Sequence, residues 1–300
     1  MIARSAWEYD AHGMTRAQQL GAAGCLHLVA TPIGNLEDIT LRALRILKEA
    51  DLVACEDTRQ TQKLLNHYAI RKKLVSYHEH NEMTRAPELV IQMEQGAKVA
   101  LVTDAGMPAI SDPGHHLVSL CLRHKIPVVP VPGATALVAA LAASGMPTDE
   151  FLFLGFLPNR STDRRKALKS LAGERRTIIF YEAPHRLREM LAAALQILGD
   201  RPAVVAREVT KLHEEFARGT LSDLVEEFTR RQPRGEITVL VGALTGDDAP
   251  TRAPSLSFPQ RVEEIMSAQG VDQKAALKQT ARELGITKRE AYQRMLREKD

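Results

Sequence analysis

The chain has 300 residues, of which 44% are hydrophobic and 26% charged, and its formal net charge at pH 7 is +3. This length suggests about two domains, and no apolar run is long enough to span a bilayer. The first 24 residues lack the apolar core of a secretory signal, so we expect a disordered extension there. The three cysteines (Cys25, Cys55 and Cys121) are too widely spaced for a metal site or a disulfide framework. They predict buried thiols in a reducing cytoplasm.

From Leu26 onward, short apolar runs alternate with segments of helical periodicity. The predicted strands of the first half are Leu26–Ala30, Leu52–Cys55, Lys73–Tyr77, Val99–Thr103 and Val128–Val131. The predicted helices are Ile39–Ala50, Thr61–Tyr68, Ala86–Glu94, His115–His124 and Ala134–Ala143. Strands separated by helices indicate βαβ units and a parallel sheet. We therefore expect an α/β domain over residues 25–146, which ends at the turn-forming segment Ser144–Thr148.

The second half predicts another α/β domain, over residues 147–246. Its predicted strands are Phe151–Phe156, Thr177–Tyr181, Ala203–Arg207, Glu215–Arg218 and Glu236–Val241, and its predicted helices are Arg186–Leu198 and Leu221–Thr229. This order suggests a mixed sheet. Residues 247–257 have the composition of a linker. Residues 258–300 predict a small basic helical domain, in which Thr280–Leu284 and Lys288–Leu296 resemble a helix-turn-helix pair; a packing or dimer-stabilising bundle is the alternative.

Three turns rich in small residues follow strands of the first predicted sheet: Thr31–Asn35, Asp104–Gly114 and Pro132–Ala136. In an open parallel sheet, ligands bind just beyond the carboxyl ends of the strands, so these turns define one ligand-lined edge. The chain has no GxxxxGKS/T motif, and no GxGxxG follows its first strand, which disfavours a nucleoside triphosphate or a dinucleotide. A zwitterionic ligand with a nucleoside end, bound by backbone groups and Asp104, fits better.

Positive charge is concentrated in two places. Residues 251–300 hold ten Lys and Arg against seven Asp and Glu. Between Pro158 and Arg176, seven cations face only Asp163 and Glu174: Arg160, Arg164, Arg165, Lys166, Lys169, Arg175 and Arg176. Such clusters suit a polyanion such as RNA, and a solvated helix face is the alternative.

A family resemblance is carried by VATPIGNLEDITLRALRILKEADLVACEDTR, VALVTDAGMPAISDPG and PVPGATALVAALAASG. These segments resemble the tetrapyrrole methylase superfamily of enzymes that use S-adenosylmethionine (AdoMet). Where porphyrin-acting members have a GxGPGDP-type first turn, this chain has Thr31–Asn35. With Glu56–Arg59, that departure resembles the RNA-acting branch, the ribosomal RNA small subunit methyltransferase I proteins. FYEAPHR, AREVTKLHEEFARG and RGEITVLVG agree, so the resemblance spans about Leu26 to Leu244.

The resemblance implies two tetrapyrrole-methylase-type α/β domains with AdoMet folded in the cleft between them. It implies 2′-O-methylation of a cytidine in the decoding region of 16S rRNA, in the small ribosomal subunit, by a cytoplasmic homodimer without a metal. The cofactor-binding residues it implies are Pro32, Asp104, Gly106, Met107, Ile110, Ser111, Ala134, Thr135, Tyr181 and Glu182. We expect RNA contacts from Arg160, Arg164, Arg165, Lys166, Lys169 and Lys211.

Methylation of a ribose hydroxyl needs a proton acceptor or a cation that stabilises the oxyanion, because the hydroxyl is a very weak acid. The candidates near predicted strand ends are Glu56, Asp57, Arg59, His78 with Asn81, Arg207, Glu208 and Lys211. Of these we select Arg59 and Glu208 as catalytic residues, with structural salt bridges as the alternative role of each. Two other functions remain open at this point: methylation of a tetrapyrrole or another small molecule, and non-catalytic RNA binding in ribosome assembly.

Overall fold

The computed structural model describes residues 24–244 and 272–283, together with residues 259, 262, 263, 265, 266, 290, 291, 294 and 295. The chain up to Ala243 clusters as one compact unit, and the chain from Leu244 onward clusters as a second. The predicted N-terminal extension (Gly24 excepted) and the predicted linker over residues 247–257 lie outside the described residues.

The first sheet has five parallel strands. They are β1 Cys25–Val29, β2 Leu52–Cys55, β3 Lys73–Ser76, β4 Lys98–Val102 and β5 Val128–Val131, in the spatial order β3-β2-β4-β1-β5. Each pair is parallel, with Leu26 beside both Val99 and Val128. The helices that connect and follow these strands are α1 Leu41–Glu49, α2 Thr58–His67, α3 Glu82–Glu94, α4 His115–Arg123 and α5 Ala136–Ser144. The predicted parallel sheet is confirmed, with every strand boundary within one residue.

Helix starts depend on local caps that apolar periodicity does not reveal. The Thr40 hydroxyl accepts a hydrogen bond from the Ala43 N–H at 3.0 Å and so begins α1. Asp57 caps α2 in the same way, by accepting from the Arg59 N–H at 2.8 Å. As a result α2 begins three residues earlier than predicted. Helix α3 begins four residues earlier than predicted, so Pro87 lies inside the helix. Because proline has no backbone N–H, the helix has one hydrogen-bond donor fewer.

The second sheet is mixed, as predicted. Its strands are β6 Phe151–Phe156, β7 Thr177–Glu182, β8 Pro202–Arg207, β9 Glu215–Thr220 and β10 Ile237–Val241, in the order β6-β7-β10-β8-β9. Only β6 and β7 are parallel; β10 runs antiparallel to both β7 and β8, and β9 is antiparallel to β8. The helices are α6 Ser161–Ser170, α7 Leu187–Leu198 and α8 Leu221–Arg230. Helix α6 occupies the middle of the basic segment.

Helix α5 packs against the second sheet, although it directly follows the last strand of the first. Its Ala140 and Leu141 share an apolar cluster with Ile179 of β7, Val204 of β8 and Leu240 of β10. In addition, the guanidinium of Arg218 on β9 donates to the last carbonyls of α5, Ala143 O at 2.7 Å and Ser144 O at 3.2 Å. These contacts join the two sheets within one compact unit, and the division at residue 146 stays a prediction.

The described part of the C-terminal unit contains α9, Gln273–Glu283. This helix begins seven residues before the predicted Thr280. Apolar side chains around it are buried, including Val262, Ile265 and Ala276. The predicted turn at Gly285–Thr287 lies outside the described residues. All three cysteines are buried and free, and no described helix is long and apolar enough to cross a membrane.

Phe180 tests whether the second sheet depends on its buried face. Its side chain is fully buried in the larger core cluster of that sheet. We expect Phe180→Ala to lower the free energy of unfolding by about 3–5 kcal/mol, because a cavity replaces the ring. The matched control is Phe151→Ala on the edge strand β6, where the ring is 40% exposed. It should cost less than about 1 kcal/mol in the same urea titration. Equal losses for the two variants would contradict this assignment of the core.

Candidate active site

The first two turns of the parallel sheet are bonded to each other. The Thr31 N–H donates to Gly106 O at 2.9 Å, and the Gly106 N–H donates back to Thr31 O at 3.2 Å. The Thr31 hydroxyl also donates to Thr103 O at 3.0 Å. These turns follow β1 and β4, which are neighbours in the sheet and whose connections to the next strands leave in opposite directions. Such a switch point is where open α/β sheets bind ligands.

A cavity of about 370 Å³, here the first cavity, lies beside this junction and is lined from both sheets. Its volume is within the range of small-molecule sites. Seven of the ten residues predicted to bind the cofactor line it: Gly106, Met107, Ile110, Ser111, Thr135, Tyr181 and Glu182. These seven residues come from both sides of the cavity, and their contacts with a cofactor stay a prediction.

The loop after β4 holds several residues in the left-handed backbone region. Gly106 has φ +89°, and the non-glycine residues Ala109 and Ser111 have φ +67° and +64°. Such conformations cost free energy and persist where surrounding contacts impose them. One of these contacts comes from the bulged strand β6, because a Cβ on Gly155 would lie only 3.0 Å from the Ser111 hydroxyl oxygen. The absence of a side chain at Gly155 thus lets the second sheet approach the loop.

Aromatic rings form part of the opposite wall. Tyr181 at the end of β7 contacts the rings of Phe153 and Phe156, with centroid distances of 5.0 and 5.7 Å. Its hydroxyl oxygen accepts a hydrogen bond from the Leu137 N–H at 3.3 Å. Burial raises the pKa of Tyr181, so the hydroxyl stays neutral. This aromatic part of the wall is therefore apolar and uncharged.

Glu182 has one carboxylate oxygen in use and one without a partner. Its Oε1 pairs with Arg186 Nη2 at 2.5 Å and accepts from the Ala183 N–H at 2.8 Å. Its Oε2 is buried and has no hydrogen-bond partner among the residues that the structure describes. An unpaired buried acceptor is costly, so a donor from a bound ligand would relieve that cost. This fits a cofactor that carries hydrogen-bond donors.

A second cavity, of about 550 Å³, adjoins the first and shares Ile33, Ala105 and Glu236 with it. Two of the predicted cofactor residues, Pro32 and Asp104, line this second cavity instead of the first. Its basic and imidazole side chains are those of Lys63, His67 and Lys211. Ala134 lines neither cavity, although its carbonyl oxygen would be 3.7 Å from a Cβ on Gly106.

Lys211 extends from the second sheet across the first turn. Its methylene groups cover Gly34, where a Cβ would lie 2.2 Å from the Lys211 Cγ. Its Nζ pairs with Glu208 Oε1 at 2.8 Å and with Glu236 Oε2 at 3.3 Å. Lys211, which we expected to contact RNA, is thus held by two carboxylates at the edge of the second cavity.

Neither residue selected for catalysis lines a cavity. Burial raises the pKa of Glu208, but hydrogen bonds from Lys211 and the Glu236 N–H outweigh this effect and the net pKa is lowered. Glu208 is therefore a weaker proton acceptor than an unpaired carboxylate. Arg59 is 86% exposed and forms a salt bridge with Asp57 at 2.8 Å. This is the structural role given above as the alternative to catalysis. Arg59 holds the pKa of Asp57 down to about 2. Both catalytic roles stay predictions.

Arg164 requires a correction to the predicted RNA surface. Its side chain is buried, its Nη2 pairs with Glu189 Oε2 at 3.0 Å, and its Nη1 donates to Asn159 O at 3.3 Å. A buried and paired guanidinium cannot bind a phosphate without breaking these contacts. Arg160, Lys166 and Lys169 are exposed. Arg165 is half-buried and donates to Gln196 Oε1 at 2.8 Å.

Several residues that line the first cavity were not predicted from the sequence, among them Asp112, Phe156 and the segment Gly235–Thr238. Asp112 lies within the Asp104–Gly114 turn, so its position was a usable signal. Phe156 is the last residue of β6, and in the sequence an apolar residue at a strand end cannot be told from a residue of the hydrophobic core. Gly235–Thr238 lies at the start of β10 and reaches the cavity because β10 is antiparallel to β7, which pairs Ile237 with Glu182. No sequence signal gives that pairing.

Comparisons with known proteins identify the family. The family model of tetrapyrrole (corrin/porphyrin) methylases matches residues 25–225. The chain is 50% identical over 277 residues to the ribosomal RNA small subunit methyltransferase I of Halalkalibacterium halodurans, which covers 92% of this chain and 96% of the relative. It is 52% identical over 218 residues to the protein of the same name from Thermotoga maritima, covering 73% and 98%.

The chain belongs to the tetrapyrrole methylase family, in its group of ribosomal RNA small subunit methyltransferase I proteins. The fold agrees: a cobalt precorrin-4 methyltransferase structure aligns with a TM-score of 0.55 at 22% identity, covering 72% of this chain and 94% of that one. This methylase uses AdoMet as its methyl donor. Among its described residues, no His, Cys, Asp and Glu side chains are grouped so as to hold a metal ion.

Gly106 tests the first cavity of this methylase. Because Gly106 has φ +89° and bonds to Thr31, Gly106→Ala strains the turn that forms the cavity wall. We expect the dissociation constant for AdoMet, measured by calorimetry, to rise about tenfold. The added strain is about 1–2 kcal/mol, and the turn relieves it by moving away from the position that binds the cofactor.

The matched control is Gly199→Ala, which replaces a glycine at φ +81° with no atom within 4 Å of the new Cβ and outside both cavities. It should leave AdoMet binding unchanged. If Gly106→Ala and the wild type bind AdoMet equally, the first cavity is not the cofactor site.

Proposed function

We propose that this protein transfers a methyl group from AdoMet to the 2′-hydroxyl of a cytidine in the decoding region of 16S rRNA of the small ribosomal subunit, as a cytoplasmic homodimer. The observation that carries the proposal is a pair of adjoining cavities that share three residues, the first with an aromatic wall and the second with cationic side chains. The names of the close relatives support small-subunit rRNA as the substrate.

The first cavity is the one that we assign to AdoMet. Gly106, Met107 and Ile110 would line one side of the cofactor, and Tyr181 the other, with Glu182 Oε2 free to accept a hydrogen bond from it. When bound, AdoMet supplies a methyl group on a positively charged sulfur. The protein's own contribution is to align the acceptor with that group and to exclude water, and the apolar walls suit both tasks.

The second cavity is the one that we assign to the acceptor nucleotide. Lys63 and Lys211 give it cationic side chains that suit RNA phosphates. Ile33, Ala105 and Glu236 belong to both cavities, so a nucleotide in one would contact a cofactor in the other. Lys211 keeps its methylenes on Gly34 while its Nζ is free to exchange a carboxylate partner for a phosphate.

The exposed cations of α6 extend the RNA surface beyond the nucleotide. The start of this helix is connected to the wall of the first cavity, because Asn159 accepts a hydrogen bond from Arg186, which in turn pairs with Glu182. Lys166 and Lys169 are exposed on α6 and Arg160 is exposed directly before it, which suits these cations to hold the RNA strand on either side of the target.

Methyl transfer to isolated ribosomal subunits tests the proposed reaction. Purified protein, radiolabelled AdoMet and 30S subunits from cells that lack the enzyme should give labelled 16S rRNA. Mass spectrometry of its nucleosides should show 2′-O-methylcytidine, because the target is a ribose oxygen. Label in a base, in a tetrapyrrole alone or in nothing would contradict the proposal, and the last outcome would favour a non-catalytic assembly factor.

Charge reversal on α6 tests the RNA surface, with Arg164 left in place. The triple variant Arg160→Glu, Lys166→Glu, Lys169→Glu should weaken rRNA binding. The slope of log affinity against log salt should become shallower by about two to three, because each lost phosphate contact removes about one released counterion. Its affinity for AdoMet should not change.

The control triple Lys48→Glu, Arg123→Glu, Lys125→Glu makes the same change in net charge on exposed residues elsewhere. It should keep the wild-type salt slope. If both triples flatten the slope equally, the effect is one of overall charge and α6 does not contact phosphates.

A further inference from the structure

The first cavity is lined by three acidic residues, which differ in their partners. Glu182 pairs with Arg186, and Glu236 pairs with Lys211. Asp112 forms no salt bridge with any residue in the described part of the chain. Among the described residues it is therefore the carboxylate of this cavity that has no cationic partner, and the contacts described above give it no role.

Asp112 lines the first cavity, beside residues that line the second. It directly follows Ser111 in the loop between β4 and α4, and Ser111 and Ile110 line the first cavity with it. From the first sheet it is faced by Thr103, Glu56 and Asp104, the last of which lines the second cavity. Thr103 lines the second cavity as well, so a nucleotide there would contact two of the residues that face Asp112.

Tyr181 faces Asp112 from the second sheet, since the charge of Asp112 contributes to the raised pKa of that phenol. The hydroxyl of Tyr181 accepts a hydrogen bond from Leu137. On the side of the first sheet, Glu56 accepts a hydrogen bond from the Thr103 hydroxyl at 3.3 Å and is also near His78. Apart from His78, which acts on Glu56, the titratable groups around Asp112 are acidic.

These surroundings make Asp112 more basic than an ordinary aspartate. Burial, and then the charges of Glu56 and Asp104, raise its pKa to about 6, although a hydrogen bond from Thr103 lowers it in part. At pH 7 to 8 the carboxylate is ionised and able to take a proton. A proton acceptor is most effective when its pKa lies near the working pH. Glu208, whose pKa is lowered, has the opposite property.

We propose that Asp112 is the catalytic residue that accepts the proton of the ribose 2′-hydroxyl, an inference that rests on the proposed function. In this step the ribose oxygen forms a bond to the methyl carbon while the carbon–sulfur bond breaks. The electron pair of that bond stays on sulfur, which becomes neutral. The hydroxyl proton passes to the Asp112 carboxylate and from there to water. No further reactant is required.

Asp112→Asn tests this role, because asparagine keeps the shape of the side chain and cannot accept the proton. The single-turnover rate of methyl transfer should fall about 100-fold or more. In the wild type the rate should rise tenfold per pH unit below about pH 6 and level off above it, because the ionised form is the active one. The variant should lose this rising limb, while Asp112→Glu should retain it.

The binding readouts separate catalysis from structure. For Asp112→Asn, the dissociation constant for AdoMet by calorimetry and the melting temperature should stay close to those of the wild type. The matched control is Asp149→Asn, which removes the same charge from an exposed residue outside both cavities and should leave the rate unchanged.

Two results would overturn the role of Asp112. One is a variant with the wild-type rate and pH profile. The other is a loss of AdoMet affinity or of melting temperature as large as the loss of rate, which would make Asp112 a cofactor ligand or a structural residue. In both cases the wild type still methylates ribose and the proposed function stands. A wild type that methylates no ribose contradicts the proposed function itself.

Discussion

The pair of hydrogen bonds between Thr31 and Gly106 is the constraint on which the site depends. Parallel strands deliver their turns to one edge of a sheet, but they do not by themselves bring two turns into contact. The order β3-β2-β4-β1-β5 makes β1 and β4 neighbours, and the reciprocal bonds then fix the two turns together. Each cavity forms on this joined unit, and Ile33 and Ala105 from its two halves line both.

The second sheet completes the site through a different geometry. Its strand β10 is the last of the described strands in chain order, but it lies between β7 and β8 and is antiparallel to both. The start of β10 is therefore beside the end of β7, which brings Glu236 next to Tyr181 and Glu182 at the cavity. Helix α5 connects the two sheets, because it directly follows β5 of the first sheet and packs against the second. The cavity walls are thus connected through buried apolar contacts.

This difference explains which parts of the molecule were predictable from sequence. Strands, the parallel sheet and the Thr31 and Asp104 turns follow from local patterns, because a buried strand followed by Gly and Pro is a local property. Contributions that depend on pairing across the sheet did not follow, as for Glu236. The same holds for charge: Arg164 looks like one more surface cation in the sequence, yet the fold buries it against Glu189. Periodicity over a short basic helix with few apolar residues does not reveal which cation faces inward.

Charge compensation sorts the acidic residues of the site by what they can do. Glu182, Glu208 and Glu236 each have a cationic partner, so their negative charge is stabilised and serves to hold Arg186 and Lys211 in place. For Glu208, hydrogen bonds from Lys211 and from the Glu236 N–H lower the pKa, which makes this carboxylate a weak proton acceptor. Asp112 is surrounded by other acids and by apolar walls, so protonation relieves repulsion there. The fold therefore separates acids that position cations from Asp112, an acid of the first cavity that is able to exchange a proton.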